Sequence, residues 1–277
     1  MAFHDLNVPV ASEHEASSLS ARLANHVKLG YSCVAINQLL QGRITTPVSP
    51  IFPSDGVALP PLATARLRTA GRRLRVLSRC TVVVSDPSEA HALSGNFTAL
   101  LRNFDIVAAR PLNERMFAQC TEKLDVDLIS LDLSQRLPFT LRAPQIRQAL
   151  SRGIYFEICY SAALLDSRAR RQLIASAQQL VRLSKGRGII LSSGTVRALH
   201  LRSPHDAANL SRLFGLSQNQ AKEAVARHPK SVCSHARMRR NTWKGLAAAR
   251  RVVDEGGDRE KMDCKEEEEE EEKERGV

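Results

Sequence analysis

Short apolar runs recur along this chain, and most of them are followed by a stretch with helical spacing. The pattern predicts a strand over Phe3–Val8 and a helix over Ser12–Leu29, with Leu19, Leu23, Val27 and Leu29 as its apolar positions and Gly30 as its stop. SCVAI (Ser32–Ile36) reads as a second strand. Residues 41–61 hold five prolines and no clear period, so they form a long loop. A β-branched run over Leu74–Asp86 ends on the turn signal Asp86-Pro87, and a helix over Ser88–Arg102 follows, with Ser88 as N-cap and Glu89 in its first turn. Strands over Phe104–Ala109, Val126–Leu133, Gly153–Tyr160 and Gly188–Ser193 then alternate with helices over Glu114–Lys123, a short segment ending at Leu150, and Asp166–Lys185. Helical spacing returns over Pro204–Phe214 and Ser217–Arg227, the second opening on a serine N-cap.

Seven strands, mostly uninterrupted apolar runs, are what a parallel sheet covered on both faces requires. The expected fold class is α/β, a distorted (β/α) TIM-like barrel over residues 1–250 that carries the loop at 41–61. An open doubly wound sheet is the alternative; it is disfavoured because no strand runs into a G-x-G-x-x-G turn. The glycine cluster KGRG (Lys185–Gly188) precedes a strand instead of following one and reads as a helix stop. Residues 251–277 have too few apolar side chains to offset their ordering entropy and are expected to be a disordered acidic tail.

Composition narrows the function classes. No apolar run approaches the roughly 18–20 residues of a membrane span, and the start of the chain lacks a basic segment leading into an apolar one. A soluble, intracellular protein with no membrane partner is expected. The six cysteines lie far apart, without C-x-x-C or zinc spacing, which suits free thiols in a reducing compartment. Charge is unevenly spread. The net is +11, but from Asp254 onward there are 13 acidic and 5 basic residues, leaving 35 basic and 16 acidic residues before them. A body this basic, and this rich in arginine, expects a polyanion, above all nucleic acid.

The sequence offers little for catalysis. None of the eight histidines forms H-x-H or H-E-x-x-H, there is no G-x-S-x-G elbow, and Ser192-Ser193-Gly194 has no evident base. Asp86, Asp132 and Glu157 end or interrupt strands, where a barrel enzyme would keep acids, yet turn-forming and arginine-pairing roles serve them as well. No catalytic residue, metal ligand or cofactor is assigned. Arginines and lysines are the richest feature. They cluster at Arg66–Arg79, at Arg168–Arg171, at Arg182–Arg187, at Arg197 and Arg202, and at Arg237–Lys244. Aromatic residues make up only 4%, so contact with the backbone and shape of folded RNA is expected over stacking on single strands.

Several long segments in series carry a likeness to a known family. They are DLNV near the start, LGYSCVAIN (Leu29–Asn37), LSRCTVVVSDP (Leu77–Pro87), LDVDLISL (Leu124–Leu131), GIYFEICYSAALLDS (Gly153–Ser167), GIILSSG (Gly188–Gly194) and LRSPHDAANLSRLFGLS (Leu201–Ser217). In this order they closely resemble the thirty-kilodalton protein subunits of eukaryotic ribonuclease P and ribonuclease MRP, over residues 1 to about 245. The resemblance implies a barrel related to the polymerase-and-histidinol-phosphatase (PHP) phosphoesterases. It also implies a non-catalytic RNA-binding subunit that braces the catalytic RNA during 5′ leader removal from precursor tRNA, and during ribosomal RNA processing by the second complex. Implied partners are ribonuclease P RNA, MRP RNA, precursor tRNA and other protein subunits, including a small heterodimer partner; the implied location is the nucleus and nucleolus. A metal-dependent phosphoesterase is the competing reading. In the related phosphoesterases an H-x-H pair stands where this chain has Asn7 and Pro9, and proline offers no ligand atom, so the first strand is expected to survive as scaffold with Asp5 as a structural acid. Carried over from the basic clusters and the family motifs, the expected RNA-binding residues are Arg75, Arg79, Arg170, Arg171, Lys185, Arg187 and Arg202. Asp206 is expected to fix Arg202 or to cap the next helix.

Overall fold

Seven parallel strands form one curved sheet in the computed structural model, which describes residues 2–52, 74–94, 101–243 and 246–247. They are β1 (His4–Val10), β2 (Cys33–Leu40), β3 (Arg75–Val84), β4 (Ile106–Pro111), β5 (Leu128–Ser130), β6 (Tyr155–Cys159) and β7 (Ile189–Ser192), and they neighbour one another in sequence order. Each lies on an expected strand. Around them run α1 (Ala16–Leu29), α2 (Glu114–Glu122), α3 (Ala143–Ser151), α4 (Ala162–Leu165), α5 (Ser167–Ser184), α6 (Pro204–Ser211), α7 (Gln218–Val225) and α8 (Arg227–Asn241). Residues 1–240 make one compact unit; in the second, Thr242–Trp243 pairs antiparallel with Leu246–Ala247. No described helix is long and apolar enough to cross a membrane.

The sheet closes on itself by a seam instead of a ladder. The Gly194 N–H donates to the Asn7 carbonyl at 3.0 Å. Beside it, Asp5 Oδ1 accepts the Ser193 N–H at 3.0 Å, and Asp5 Oδ2 meets His26 Nε2 from α1 at 2.9 Å. Asp5 is thus a buried structural acid that ties the barrel's last strand to its first, as the sequence implied. On β1 a bulge sets Leu6 and Asn7 against the single residue Ala35 of β2. That extra residue switches the alternation, so Leu6 joins the inner apolar cluster below while Asn7 and Pro9 line the mouth above.

The apolar layers follow the strand alternation. Cys80, Val82, Val107, Ile129, Phe156, Ile158 and Leu191 face outward and pack under the helices. Leu6, Ala35, Leu77, Ala108, Leu128 and Ile190 face inward, where Val232 and Ala236 of α8 plug the end of the barrel from which the strands start. Two carboxylates bolt that plug. Asp127, one residue before β5, accepts from Arg239 Nη2 at 3.0 Å and faces His235 Nδ1 at 2.9 Å. Asp105, one residue before β4, pairs with Arg240 Nη1 at 2.7 Å.

Three elements depart from expectation. The helix expected over Ser88–Arg102 is, up to Ser94, a turn and one 3-10 turn at Ala90–Leu93, while residues 95–100 lie outside the described residues. The Glu89 carboxylate reaches back to the Ser85 N–H and hydroxyl at 2.6 and 2.7 Å instead of serving a helical first turn. Strand β5 is shorter than Val126–Leu133 because Asp127 turns its carboxylate onto the Val107 N–H at 2.9 Å. Helix α8 has no counterpart in the sequence reading. The residues from 53 onward of the expected loop at 41–61, the basic residues Arg66, Arg68, Arg72, Arg73 and Lys244, and the acidic tail lie outside the described residues.

Candidate nucleic-acid interface

The barrel's centre is filled by a circuit of polar side chains. Arg79 on β3 donates through Nη1 and Nη2 to the two Glu157 carboxylate oxygens on β6 at 2.6 and 2.7 Å. Glu157 also accepts from Ser130 Oγ on β5 at 2.6 Å and from Asn7 Nδ2 at 3.1 Å. Asn37 Nδ2 donates to Asn7 Oδ1 at 2.9 Å, Thr81 Oγ1 to Asn37 Oδ1 at 2.8 Å, and Arg79 Nη2 back to Thr81 at 3.2 Å. Burial alone would raise the Glu157 carboxyl; the Arg79 guanidinium and the Ser130 hydroxyl override it and hold it at about 2. Arg79 was expected to meet RNA, and the structure corrects this. Its side chain is 0% exposed, and its charge is neutralised inside the barrel by a bidentate partner.

The mouth, at the C-terminal ends of the strands, is where barrel enzymes keep their chemistry. Here it is a cavity of about 260 Å³ bordered by Asn7, Pro9, Asn37, Arg110, Asp132 and Cys159, among others. The three strand-end acids do not assemble: Glu157 belongs to the circuit below, Asp86 is exposed on the β3 turn, and Asp132 accepts its own loop's Ser134 hydroxyl at 2.5 Å. Burial, with Glu157 beneath, pushes the Cys159 thiol well above its ordinary range, away from a reactive thiolate. No group of three His, Cys, Asp or Glu side chains gathers as a metal-ligand set among the described residues. Leu39, Leu112, Leu165, Val196 and Leu199 are exposed among the polar residues of this end.

The opposite end is basic. A cleft of about 620 Å³ opens between the C-terminal ends of α3 and α5 and the starts of β6 and β7, edged by Arg147, Arg182, Lys185 and Arg187 over a floor that includes Tyr155 and His228. The segment Lys185–Gly188 alternates exposed and buried residues, so both cations point outward while Gly186 and Gly188 turn in. Gln220 Nε2 pins the loop by donating to the Lys185 carbonyl at 3.1 Å. Lys185 ends α5 in the left-handed conformation at φ 56°, a place where glycine is usual and another residue costs about 1 kcal/mol. Gly188 has φ 61°, and a Cβ there would collide with the Leu150 side chain. Gly188→Ala is therefore expected to cost at least about 1–2 kcal/mol, read as a drop of several degrees in the melting temperature by circular dichroism. A change below one degree would show that the loop is not held as described. Further along the same end, Arg75 and Lys230 both lie near His4, whose imidazole burial, aided by these two charges, lowers to about 4.

The expected RNA-binding residues therefore do not form one patch. Arg75, Lys185 and Arg187 stand at the strand-start end. Arg170, Arg171 and Arg202 stand at the mouth end, and two of these are already engaged. Arg170 Nε donates to the Ala163 carbonyl at 2.6 Å, and Arg202 Nη1 donates to the Leu199 and Leu201 carbonyls, each at 3.0 Å. Asp206 does not fix Arg202; it accepts the Ser203 hydroxyl at 2.7 Å in the cap of α6. Ser193, in the GIILSSG segment, spends its N–H and hydroxyl on the barrel seam. Sequence reasoning did not single out Arg147, Tyr155, His228 and Lys230 for the site, because each is an isolated residue that only the barrel topology brings beside Lys185 or Arg75.

Comparison with known proteins agrees with this architecture. The family model described as RNase P subunit p30 matches residues 2–241. The mouse protein "Ribonuclease P protein subunit p30" is 33% identical over 95% of this chain and 97% of its own length. The Saccharomyces cerevisiae "Ribonuclease P/MRP protein subunit RPP1" is 31% identical over 87% of this chain and 82% of its own length. A chain in the cryo-EM structure of archaeal ribonuclease P with mature tRNA shares the fold at a TM-score of 0.58 and 14% identity, over 89% of this chain and 97% of that one. With most of its length matched both by the family model and by a relative at one-third identity, the chain belongs to the RNase P subunit p30 family.

Proposed function

We propose that this chain is a non-catalytic protein subunit of ribonuclease P and ribonuclease MRP that braces the catalytic RNA through the strand-start end of its barrel. The observation that carries the reading is the set of four cations around the 620 Å³ cleft, none of which has an ion-pair partner among the described residues. Phosphate oxygens are the acceptors that such a set lacks. The mouth supports the non-catalytic half of the proposal, because the centre of the barrel is closed by the Arg79–Glu157 pair. The exposed Leu39, Leu112, Leu165, Val196 and Leu199 at the mouth end suit protein subunits, so RNA and protein would take opposite ends. Precursor tRNA is then met through the assembled complex, and a nuclear and nucleolar location follows from that assembly.

The test uses the full chain and ribonuclease P RNA, with affinity measured at several salt concentrations. Lys185→Gln with Arg187→Gln should weaken binding and reduce the slope of log K against log salt by about 1.4, at roughly 0.7 per lost single-strand phosphate contact. Arg170→Gln with Arg171→Gln should stay within about twofold of the unmodified chain. If the second pair carries the slope instead, the ends are reversed. The chain alone, supplied with manganese or zinc, should cleave neither precursor tRNA nor a simple phosphomonoester; turnover would move it to the phosphoesterases.

A further inference from the structure

The geometry points to a nucleotide site in the strand-start cleft, one that takes a single unstacked nucleotide of an RNA strand with its phosphates on the cations and its base against Tyr155 and His228. The inference rests on the RNA-binding reading above and narrows it to one kind of RNA feature.

Cations alone would not require a cavity. Lysines and arginines on a convex surface can neutralise a duplex backbone without any depth, since the bases stay stacked inside the duplex. Here the four cations surround a space of about 620 Å³, within the roughly 300–1,000 Å³ typical of small-ligand sites. The mouth cavity, at about 260 Å³, falls below that range and carries one arginine against one aspartate. Below the cations the strand-start cleft is apolar and aromatic. The Tyr155 and His228 rings lie 5.6 Å apart between centroids, at 50°. His228 Nδ1 faces the Ile189 carbonyl at 2.7 Å and so must donate to it, which holds the ring in the cleft floor with Nε2 3.9 Å from the Glu223 carboxylate. A half-buried aromatic floor under phosphate-binding cations fits one flipped-out nucleotide, and a paired helix cannot use it. The left-handed backbone of Lys185 agrees with this, because an unfavourable conformation is kept where it aims a charge at the cleft edge.

Three RNA hairpins test the site on the full chain: one fully paired, one with a single-nucleotide bulge, and one with the same bulge made abasic. The last two carry the same phosphates and differ only in the base. The bulged hairpin should bind about tenfold more tightly than the abasic one, on the scale of one stacked base. Tyr155→Leu should erase that difference without changing the salt slope. Ser151→Trp, which fills the cleft from an exposed position on its edge, should do the same and carries the test if Tyr155→Leu melts early. Arg187→Gln should weaken all three hairpins alike. Equal binding of the bulged and abasic hairpins overturns the nucleotide site and leaves the RNA-binding reading standing. If no hairpin binds, both fail. An acidic peptide that competes at the cleft, with the hairpins undiscriminated, would assign it to a protein partner and overturn the inference.

Discussion

Replacing Glu157 by alanine should lower the stability of the barrel by roughly 3–5 kcal/mol, because it leaves the Arg79 guanidinium buried without a counter-charge. For a domain of this size that corresponds to roughly 6–20 °C in melting temperature. The loss is larger than one broken contact. Arg79 would keep only the Leu6 carbonyl and Thr81 hydroxyl as acceptors, the Ser130 hydroxyl would lose its acceptor, and the Asn7 amide would keep only the Cys159 sulfur. Glu157→Gln should fall between the two, since an amide oxygen still accepts but cannot neutralise. The pH dependence has a definite sign. The folded carboxyl lies at about 2, below the ordinary value near 4.3, so its stabilisation is complete above the unfolded value and is lost as pH falls from about 4 towards 2. Thermal melts of the three proteins at neutral pH and at pH 3 check this; an alanine variant melting within 2 °C of the original at neutral pH would refute the account of the barrel centre.

The same pair shows how far the sequence could be read. Strands were legible because a parallel sheet buries both faces, and its strands stand out as apolar runs whatever surrounds them. The two charges inside those runs were legible too, in principle. Arg79 lies in LSRCTVVV and Glu157 in YFEIC, and a lone buried charge costs several kcal/mol. Two lone charges of opposite sign in strands of one barrel therefore imply each other. Grouping Arg79 with its basic neighbours along the chain hid this: Arg75 opens the strand and is exposed, while Arg79, on the same face four residues further in, lies inside the barrel. The bulge at Leu6 and Asn7 leaves no mark in composition, yet it decides which residues of β1 reach the mouth. Helix α8 was illegible for a different reason. Its buried apolar stripe is short, Pro229, Val232 and Ala236, and charge reaching across to residues more than a hundred positions earlier holds it as well. The cleft shares that origin, being assembled from the ends of two helices, a loop and two strand starts.

Asp127 is the second place where one carboxylate decides a large effect. It is fully buried, and burial would raise it, but His235 and Arg239 hold it below the usual carboxylate range. Asp127→Asn should cost about 3–5 kcal/mol, because the Arg239 side chain is only 6% exposed and loses its counter-charge. Arg239→Met should cost less, since Asp127 would still have His235 and the Val107 N–H. The two titrating partners bound the clamp from both sides. The depressed Asp127 contributes stability that is present above its unfolded value near 3.9 and lost as pH falls below it. Raised by its hydrogen bond to Asp127, His235 contributes stability that is complete below its unfolded value near 6.5 and lost as pH rises through its folded one. The clamp is therefore strongest between about pH 4 and 6.5. The urea midpoint of the original chain minus that of Asp127→Asn should peak in this window and shrink on both sides; a difference that is flat from pH 4 to 9 would mean that His235 adds nothing. Since α8 also carries the exposed Lys230 and Arg237 across the strand-start end, loosening it should reduce the RNA salt slope even though no phosphate-binding cation has been removed. A slope unchanged in Asp127→Asn would place the RNA wholly on Arg147, Arg182, Lys185 and Arg187, and leave α8 as the barrel's plug alone.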